Sequence, residues 1–440
     1  MRRLCLWLVA CFLVMGGLSC SGRATPTATP RPPTRTPAPT AEASPPSSAG
    51  ARYYVDSRTG HDSNPGTSPD RPWQSLARVQ QQALQPGDVV GLARGSVWDG
   101  GWVISQSGAP GEPLTFEPYG TGDVPTVRNP GTRTKAIVIA GSWVVIRGVR
   151  VRDAHEYGIQ IVEGATHNAV EDCEATAVGI GFAVYGEDNL IQGCYAHDLQ
   201  MIVDTPGGDD DYGAVGVGIF GSYNEIAHNQ LERCLAPSHD YGSDGGAFEL
   251  FGDVTGNYIH HNWARDNCGF VEVGGGSAHD NLLAYNVSVN NGTFATIHIG
   301  GRFASTVTHL YADNNTIVEM GTGSVVLNFV GEPSPEALLL RNNIVSVGSY
   351  RQVANSASFT HSNNLYFLRQ RLTRLGFSLG PGEKTGDPLF VDPDGQDFRL
   401  QPASPAANGA MALVYDGNLP PPPTPSASSL YLGALPAASD

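Results

Sequence analysis

The sequence predicts an all-β fold built as a β-solenoid, in which short strands stack coil upon coil. The first observation is a short motif that recurs through the middle of the chain and alternates apolar residues with small or polar ones. Alternation with a period of two is typical of β-strands, so each copy reads as one strand of one coil. The six copies are FAVYG (182–186), VGIFG (217–221), FELFG (248–252), VEVGG (271–275), IHIGG (297–301) and LNFVG (327–331).

A second ladder of residues supports the same repeat. Its members lie 21 to 35 residues apart, a spacing that suits a solenoid. Stacked side-chain amides can hydrogen-bond along the stack, which explains why asparagine recurs at this turn. Residues 136–366 contain no amphipathic segment of about ten residues or more, which excludes helical repeats. The ladder consists of Cys173, Cys194, Asn229, Asn262, Asn286, Asn315, Asn343 and Asn364.

Segments on both sides of the repeat are similar to those of one group of secreted proteins. They are YYVD (53–56), DSNPGT (62–67), PW (72–73), LQPGDVV (84–90), GEPLTFEPY (111–119), GDPLFVDP (386–393), FRL (398–400) and SPA (404–406). On these motifs the chain resembles the right-handed parallel β-helix proteins, the pectin-lyase-like superfamily, over roughly residues 53–410. The resemblance implies a right-handed parallel β-helix. It does not fix the chemistry, because the superfamily includes lyases, hydrolases, epimerases and non-catalytic adhesins.

Two segments are expected to close the ends of the β-helix. A short helix near Trp73 to Leu84 should cover the amino-terminal end, because an open strand edge would pair with other chains. The 386–406 segment should do the same at the carboxyl-terminal end.

The first residues predict export. Arg2, Arg3 and the apolar run from Leu4 to Leu18 form a signal sequence within residues 1–20. Gly17-Leu18-Ser19-Cys20 is similar to a bacterial lipobox, which would make Cys20 a lipid anchor. The usual pattern has Leu where this chain has Gly17, and plain secretion with cleavage near Ala24 is the alternative.

The remaining boundaries follow from composition. Residues 21–50 are a Pro- and Thr-rich tether, residues 51–410 the β-helix domain, and residues 411–440 a disordered tail rich in Pro, Ser and Ala. The mature protein is expected to be a monomer at the cell surface, attached to the membrane only through the lipid on Cys20.

Charge and cysteine content narrow the possible functions. The formal net charge is −16, which argues against nucleic-acid binding because phosphate contacts need a basic surface. Cys173 and Cys194 fall on neighbouring coils, as do Cys234 and Cys268. Each pair is either a disulfide, which export permits, or two buried thiols that fill the interior. No CxxC spacing points to a metal.

The candidate catalytic residues are Glu249, Glu272, Asp244 and His298. In this alignment of the motifs, Glu249, Glu272 and His298 form consecutive rungs on the outer face, since the flanking apolar residues point inward. Neighbouring strands lie about 4.7–4.9 Å apart, so two carboxylates there repel each other, which is typical of working sites. Asp244 is the alternative partner of Glu272, a pairing that would leave room for water and lead to inversion. The longest coil spacings place insertions at 200–213 and 235–245, which are expected to form a cleft wall beside the ladder.

Substrate-binding residues are predicted in the insertions and on the outer face. The insertions supply polar and aromatic groups, Phe251 and Phe270 could stack on a sugar ring, and Arg302 could bind a uronic carboxylate. The predicted set is Asp211, Tyr212, His239, Asp240, Tyr241, Phe251, Phe270 and Arg302.

Three functions are consistent with this sequence. Paired carboxylates favour a glycoside hydrolase that needs no cofactor, with Glu249 as nucleophile and Glu272 as acid/base, and a polysaccharide as substrate. A lyase or epimerase acting on uronate polymers would instead use the acidic residues to hold Ca²⁺. Lysine, a common base in such lyases, is absent between Lys135 and Lys384, so Arg302, Arg265 or His298 would have to serve. The third possibility is a non-catalytic glycan-binding scaffold. His197, His260 and His261 lie beside ladder positions, where packing is expected rather than metal binding.

Overall fold

The computed structural model describes residues 50–407, 409–413, 415 and 431–435. Within them the chain winds into a parallel β-helix whose sides are three stacked parallel sheets. None of the helices in this described part has the length and apolar character required to cross a bilayer. The predicted signal sequence, Cys20 and the tether lie outside the described residues.

Sheet 1 takes one strand from each coil, in spatial order along the solenoid. Its strands are Arg52–Val55, Val89–Ala93, Leu114–Tyr119, Val144–Arg147, Ala169–Glu171, Leu190–Gln192, Glu225–Ala227, Tyr258–His260, Leu282–Ala284, Leu310–Asp313, Leu338–Arg341 and Thr360–Ser362.

Sheet 2 carries the candidate site. Its strands are Trp102–Ile104, Lys135–Ile139, Tyr157–Ile161, Ile180–Val184, Val215–Ile219, Gly246–Phe251, Val271–Gly274 and Ala295–His298. Sheet 3 contains Val97–Asp99, Thr126–Arg128, Arg150–Arg152, Glu174–Thr176, Tyr195–His197, Gln230–Glu232, Trp263–Arg265, Val287–Val289, Leu365–Leu368 and Lys384–Thr385. The long strands Thr316–Val330 and Ile344–Ala354 run through both sheets and join them.

Further short strands lie outside these three sheets. Three of them, Val254–Thr255, Ser277–His279 and Thr306–Thr308, pair in parallel at one corner. The insertions predicted from the coil spacing are two antiparallel hairpins, the 201–213 hairpin (Met201–Val203 with Tyr212–Gly213) and the 236–244 hairpin (Ala236–Ser238 with Gly242–Asp244). A third hairpin pairs Phe390–Asp392 with Asp397–Leu400.

The interior of the solenoid is a continuous apolar core. Along sheet 2 the inward positions are occupied in register by large and β-branched residues such as Phe182, Val217, Phe248 and Val271. Phe270 lies between Phe248 and Phe294, with ring centroids 5.3 and 4.7 Å away, and is fully buried. Phe270 was predicted on the outer face and is instead part of the core, because it precedes the strand and its side chain turns inward at the corner.

The predicted asparagine ladder is confirmed. Asn262, Asn286 and Asn315 form a chain in which each side-chain oxygen accepts hydrogen bonds from the backbone and side-chain amides of the preceding rung. A second ladder, Asn168–Asn189–Asn224–Asn257–Asn281, lies at another corner and escaped the sequence analysis. Both ladders satisfy backbone groups where each coil turns.

Three of the four cysteines on neighbouring coils are thiols. Cys173, Cys194 and Cys234 are free and buried, so neither Cys173–Cys194 nor Cys234–Cys268 is a disulfide. Burial raises the pKa of the Cys194 thiol well above its ordinary value. These side chains therefore act as small apolar residues that fill the interior.

The amino-terminal end differs from expectation in detail. The amino-terminal helix spans Leu76–Gln81, shorter than predicted, with the Ser75 hydroxyl accepting from the Arg78 amide as N-cap. The Phe390–Leu400 hairpin packs along the side of sheet 3, where Phe390 and Phe398 belong to one apolar cluster with outward-facing Val287 and Val289. That this segment closes the far end stays a prediction.

Part of the predicted tail is also packed against the domain. Tyr431 and Leu432 are buried, and the Gly433 amide donates to the Asn342 carbonyl at 2.8 Å. The prediction of a disordered tail over 411–440 is therefore wrong for residues 431–435.

Candidate active site

Glu249 and Glu272 are directly opposite each other on neighbouring strands of sheet 2. Phe248, Leu250, Val271 and Val273 point into the core, which directs both glutamates to the outer face as predicted. The earlier rungs of this ladder are small, Ala183 and Gly218. Strand spacing brings the two glutamate backbones to within about 4.8 Å.

The rung after Glu272 is Thr296, not His298. The sequence around it, ATIHI (295–299), alternates over five residues, so two registers fit the pattern equally well. In the structure Ala295 and Ile297 take the inward positions opposite Val271 and Val273, which places His298 at the end of the strand.

His298 nevertheless contacts the pair. Its Nε2 lies 2.6 Å from Oε1 of Glu272, and both residues are buried. Gly274 makes room for the imidazole, since a Cβ there would lie 3.3 Å from its Cδ2 atom. Phe303 packs edge-on against the ring with centroids 5.8 Å apart, which holds it in place.

Asp244 joins the cluster from the insertion. It ends the 236–244 hairpin and is fully buried. Its Oδ1 accepts from the Gly245 amide at 3.0 Å. Glu249 and Glu272 are 2% and 4% exposed, so the two glutamates are not the solvated outer-face residues that a simple scaffold would show.

Several polar atoms of this cluster have no hydrogen-bond partner among the described residues. They are Oδ2 of Asp244, Oε1 of Glu249, Oε2 of Glu272 and the hydroxyl of Tyr241, all buried. An unpaired buried polar atom costs about 1–3 kcal/mol, so native proteins keep few of them. Four unpaired buried polar atoms in one cluster indicate a binding site for the polar groups of a ligand.

The acidic groups of the cluster hold their protons unusually tightly. Burial raises the pKa of Asp244 well above its ordinary value, and the nearby Glu249 and Glu272 carboxylates raise it further. Burial and then Glu272 raise the pKa of Glu249, and burial raises that of Glu272. Burial lowers the pKa of His298 to about 4. Burial thus favours the neutral forms of both groups in the Glu272–His298 contact.

The wall beside the ladder consists of the 201–213 and 236–244 hairpins, joined by a dense polar contact. Asp211 is its centre: its carboxylate accepts from the Thr205 amide (2.6 Å), the Ser238 hydroxyl (2.7 Å) and the Asp240 amide (2.9 Å). Although burial raises the pKa of Asp211, these hydrogen bonds outweigh it and the pKa is lowered.

Further predicted binding residues are engaged within the wall. Asp240 accepts from the Gly207 and Asp210 amides, and His239 Nδ1 lies 2.6 Å from Asp204. Arg302 reaches from a later coil and donates to the Gly208 and Asp209 carbonyls at 3.4 and 3.2 Å. These residues thus have roles in holding the wall.

Phe251 lies on the outer face, as predicted, and is buried there. The sequence did not single out Tyr185 and Phe220, which occupy the same fourth position of the two preceding motifs and stack with centroids 4.5 Å apart. The hydroxyls of Tyr157 and Tyr185 are 2.9 Å apart. Burial raises the pKa of Tyr212 to about 12, and Glu249 contributes to that shift. The recurrence of an aromatic residue at one motif position was the available signal.

A small pocket adjoins Glu272. It is lined by Gly246, Phe248, Cys268, Gly269, Val271, Glu272, Thr293 and Thr296. The candidate Ca²⁺ ligands do not converge there. Among the described residues, carboxylates and imidazoles gather closely enough for a metal ion in the wall (Asp204, Asp211 and His239; Asp210, Asp211 and Asp240) and at His228, His260 and His261.

Comparison with known proteins agrees with this architecture. A family model described as "Right handed beta helix region" matches residues 135–317. The three stacked parallel sheets and this match give the chain a right-handed parallel β-helix fold.

Individual relatives include a lacto-N-biosidase of Bifidobacterium longum subsp. longum, 40% identical over 80 residues. The match covers 17% of this chain and only 5% of the length of that relative. Among solved structures, a GH136 lacto-N-biosidase from Eubacterium ramulus superposes with a TM-score of 0.55 at 14% identity, over 76% of this chain and 67% of that one. Pectate lyase Pel9A superposes with a TM-score of 0.60 at 18% identity, over 88% and 96%. At these identities the two structures establish the fold alone.

Proposed function

We propose that this protein is a glycoside hydrolase whose active site is formed by Glu249, Glu272, Asp244 and His298. The observation that carries the proposal is the group of buried carboxyl oxygens without partners, gathered on one face of sheet 2. The likeness to proteins named for carbohydrate cleavage, a lacto-N-biosidase and a pectate lyase, supports a carbohydrate substrate.

The raised pKa values suit acid catalysis near neutral pH. Glu272 retains its proton and would donate it to the oxygen of the leaving sugar. Once Glu272 is ionised, the same carboxylate can accept a proton from the attacking water, and His298 keeps it oriented through the 2.6 Å hydrogen bond.

Glu249 is the nucleophile in this proposal and attacks as the carboxylate, after it has released to water the proton that burial and Glu272 hold on it in the closed site. Retaining glycosidases place their two carboxyl groups about 5–5.5 Å apart, which is close to the separation of adjacent strands. A retained anomeric configuration is therefore expected. Attack by water, with Asp244 acting as the base at a longer distance, would give inversion instead.

Access to the glutamates requires movement of the wall. Glu249 is 2% exposed, and the 201–213 and 236–244 hairpins stand beside it. Hairpins that lie outside the main core can open at a lower cost than the core strands. The aromatic rung of Tyr185 and Phe220 would then offer a surface on which a sugar ring can stack.

The test is turnover on a panel of neutral and uronate polysaccharides and oligosaccharides, with and without EDTA. New reducing ends, unaffected by EDTA and without ultraviolet absorbance from an unsaturated uronate, are the expected result. Absorbance abolished by EDTA would overturn the hydrolase in favour of a Ca²⁺-dependent lyase. Glycan binding without turnover would support a binding scaffold.

We also propose that the protein acts at the cell surface through a lipid on Cys20. The basis is the lipobox-like Gly17-Leu18-Ser19-Cys20 sequence alone. Expression of the full chain in a bacterial host should yield protein that partitions into detergent, whereas Cys20→Ala should not. If both proteins remain in the water phase, Cys20 does not carry a lipid anchor and the proposal is wrong.

A further inference from the structure

Three histidines converge on sheet 1, away from the candidate active site on sheet 2. His228 follows the strand Glu225–Ala227, and His260 and His261 end the adjacent strand Tyr258–His260 and begin its turn. Each can offer one ring nitrogen to a common point, since the three nitrogens lie within 4.8 Å of one another. His228 is exposed, His261 is half-buried and His260 is buried.

The contacts of His260 determine how its ring is protonated. Its Nε2 lies 3.1 Å from Oε1 of Glu225, and its Nδ1 lies 2.8 Å from Nδ1 of His261. A carboxylate beside Nε2 keeps the proton there, which leaves the lone pair on Nδ1 facing His261. A carboxylate behind a ring nitrogen that faces away from the ion is the usual support of a metal-binding histidine.

Stacking alone does not account for this arrangement. The ring of His228 lies on that of His261, and His261 lies on Tyr285, with centroids 5.0 and 5.2 Å apart. A structural stack needs only these parallel faces. His260 stacks on Tyr258 with centroids 3.9 Å apart, but it stands nearly perpendicular to His261, at 85°. With its own proton on Nε2, the Nδ1 of His260 accepts a hydrogen bond from the Nδ1–H of His261 at 2.8 Å, and His261 would move that proton to its other nitrogen when an ion binds.

We propose that His228, His260 and His261 bind a divalent transition-metal ion such as Zn²⁺, with Glu225 orienting His260. Imidazole nitrogen is a preferred ligand of Zn²⁺, Cu²⁺ and Ni²⁺, and three histidines leave a fourth position for water. Zn–N distances of about 2.0–2.1 Å require ligand nitrogens about 3.3 Å apart in a tetrahedron. The two Nδ1 atoms therefore need to separate by only about half an ångström.

An ion held here would join two successive coils of sheet 1, so it would stabilise the fold without touching the carboxylates of sheet 2.

The test uses protein without a histidine tag, stripped with EDTA and then titrated with Zn²⁺ by calorimetry. One ion per chain with a Kd tighter than about 10 µM is expected, together with a rise in Tm of a few degrees. His228→Asn and His261→Asn should each weaken binding at least about tenfold. Asparagine suits both sites, because they have positive φ (56° and 54°) and Asn314 and Asn342 adopt that conformation at equivalent turns.

His309→Asn is the matched control. His309 also has a positive φ, 55°, and its Nδ1 is bonded to Asp280 at 2.9 Å, outside the cluster. Binding should be unchanged in this variant. The proposal is overturned if stripped wild-type protein takes up no Zn²⁺. It is also overturned if His309→Asn loses as much affinity as the other variants, or if a His228→Asn/His261→Asn double variant keeps its ion.

Discussion

Glu249 and Glu272 are opposite each other on neighbouring strands and are both shielded from bulk water. Neither condition alone would matter much, because a solvated pair repels weakly and a single buried acid simply keeps its proton. Together they create a site in which one proton can be held and a second released when a ligand changes the local charge. This is the property that acid catalysis requires.

The first prediction concerns these two residues. Glu249→Gln and Glu272→Gln should each reduce turnover at least about a hundredfold, because glutamine can act neither as nucleophile nor as proton donor. The circular dichroism spectrum should not change. Glu336→Gln, at an exposed site, is the control that should keep full activity. Activity surviving in both site variants would exclude the pair as the catalytic residues.

A second buried acid, Glu319, predicts how stability depends on pH. Its carboxylate accepts from the Asn291 and Gly292 amides and the Tyr350 hydroxyl. Burial outweighs these bonds and raises the pKa of Glu319 from 4.5 to about 7. The folded state thus holds a proton that the unfolded state loses above pH 4.5. The stability from this group is complete below pH 4.5 and is lost as the pH rises through 7.

The test is the difference in unfolding free energy between the wild type and Glu319→Gln. Glutamine cannot ionise, so this difference should move against the wild type by roughly 3 kcal/mol between pH 4.5 and pH 8. Denaturant titrations at several pH values measure it. A difference that stays constant with pH, as expected for the exposed Glu336→Gln variant, would contradict the assignment.

At the scale of elements, the two hairpins of the wall depend on each other through one buried carboxylate. Asp211 of the first hairpin binds Ser238 and Asp240 of the second. Outside the main core, Ile202 of the first hairpin packs in an apolar cluster with Ile180 and Ala183 of sheet 2, and the contacts of Asp211 tie the second hairpin to the first. Such elements open more readily than core strands.

The third prediction follows from Asp211. Asp211→Asn removes charge-assisted hydrogen bonds worth about 1.5–3 kcal/mol. The amides of residues 201–213 and 236–244 should then exchange hydrogen at least about tenfold faster, while those of sheet 1 do not change. Hydrogen exchange read by mass spectrometry measures this. Asp394→Asn, in an exposed turn, is the control. Uniform acceleration throughout the domain would show that the wall is not a separate unit.

At the scale of the whole molecule, each coil contacts mainly the coils before and after it. Stability is then close to a sum of coil terms and terms for neighbouring coils. The asparagine ladders contribute directly to the terms for neighbouring coils, because the side chains of each ladder form hydrogen bonds to the next coil. The packing of Phe390, Phe398 and residues 431–435 along sheet 3 adds contacts that cross several coils.

The fourth prediction compares two asparagines. Asn286 accepts hydrogen bonds from the Asn262 amide and side chain and donates to the Ile259 carbonyl, so Asn286→Ala leaves buried groups unpaired. It should cost about 2–4 kcal/mol in unfolding free energy. Asn328 is partly exposed and accepts only from Asn355 among the described side chains, so Asn328→Ala should cost less than about 1 kcal/mol. Equal costs would mean that the ladder contributes no more than a surface contact.

The sequence by itself determined the solenoid, the asparagine ladder, the positions of both insertions and the outward direction of Glu249 and Glu272. These features follow from local periodicity, since alternation within a strand decides which side chains face the core. It also selected Asp244 for the site, because the insertion that carries it enters the face of the ladder.

Only the tertiary structure decided the rest. Alternation over ATIHI fits two registers, and core packing chose the one that puts Thr296 beside Glu272 and His298 at the strand end. Burial of the glutamates comes from hairpins folding over them, and the convergence of His228 with His260 and His261 comes from the stacking of separate coils. Contacts between residues distant in sequence depend on how the coils stack and close, which a local pattern does not contain.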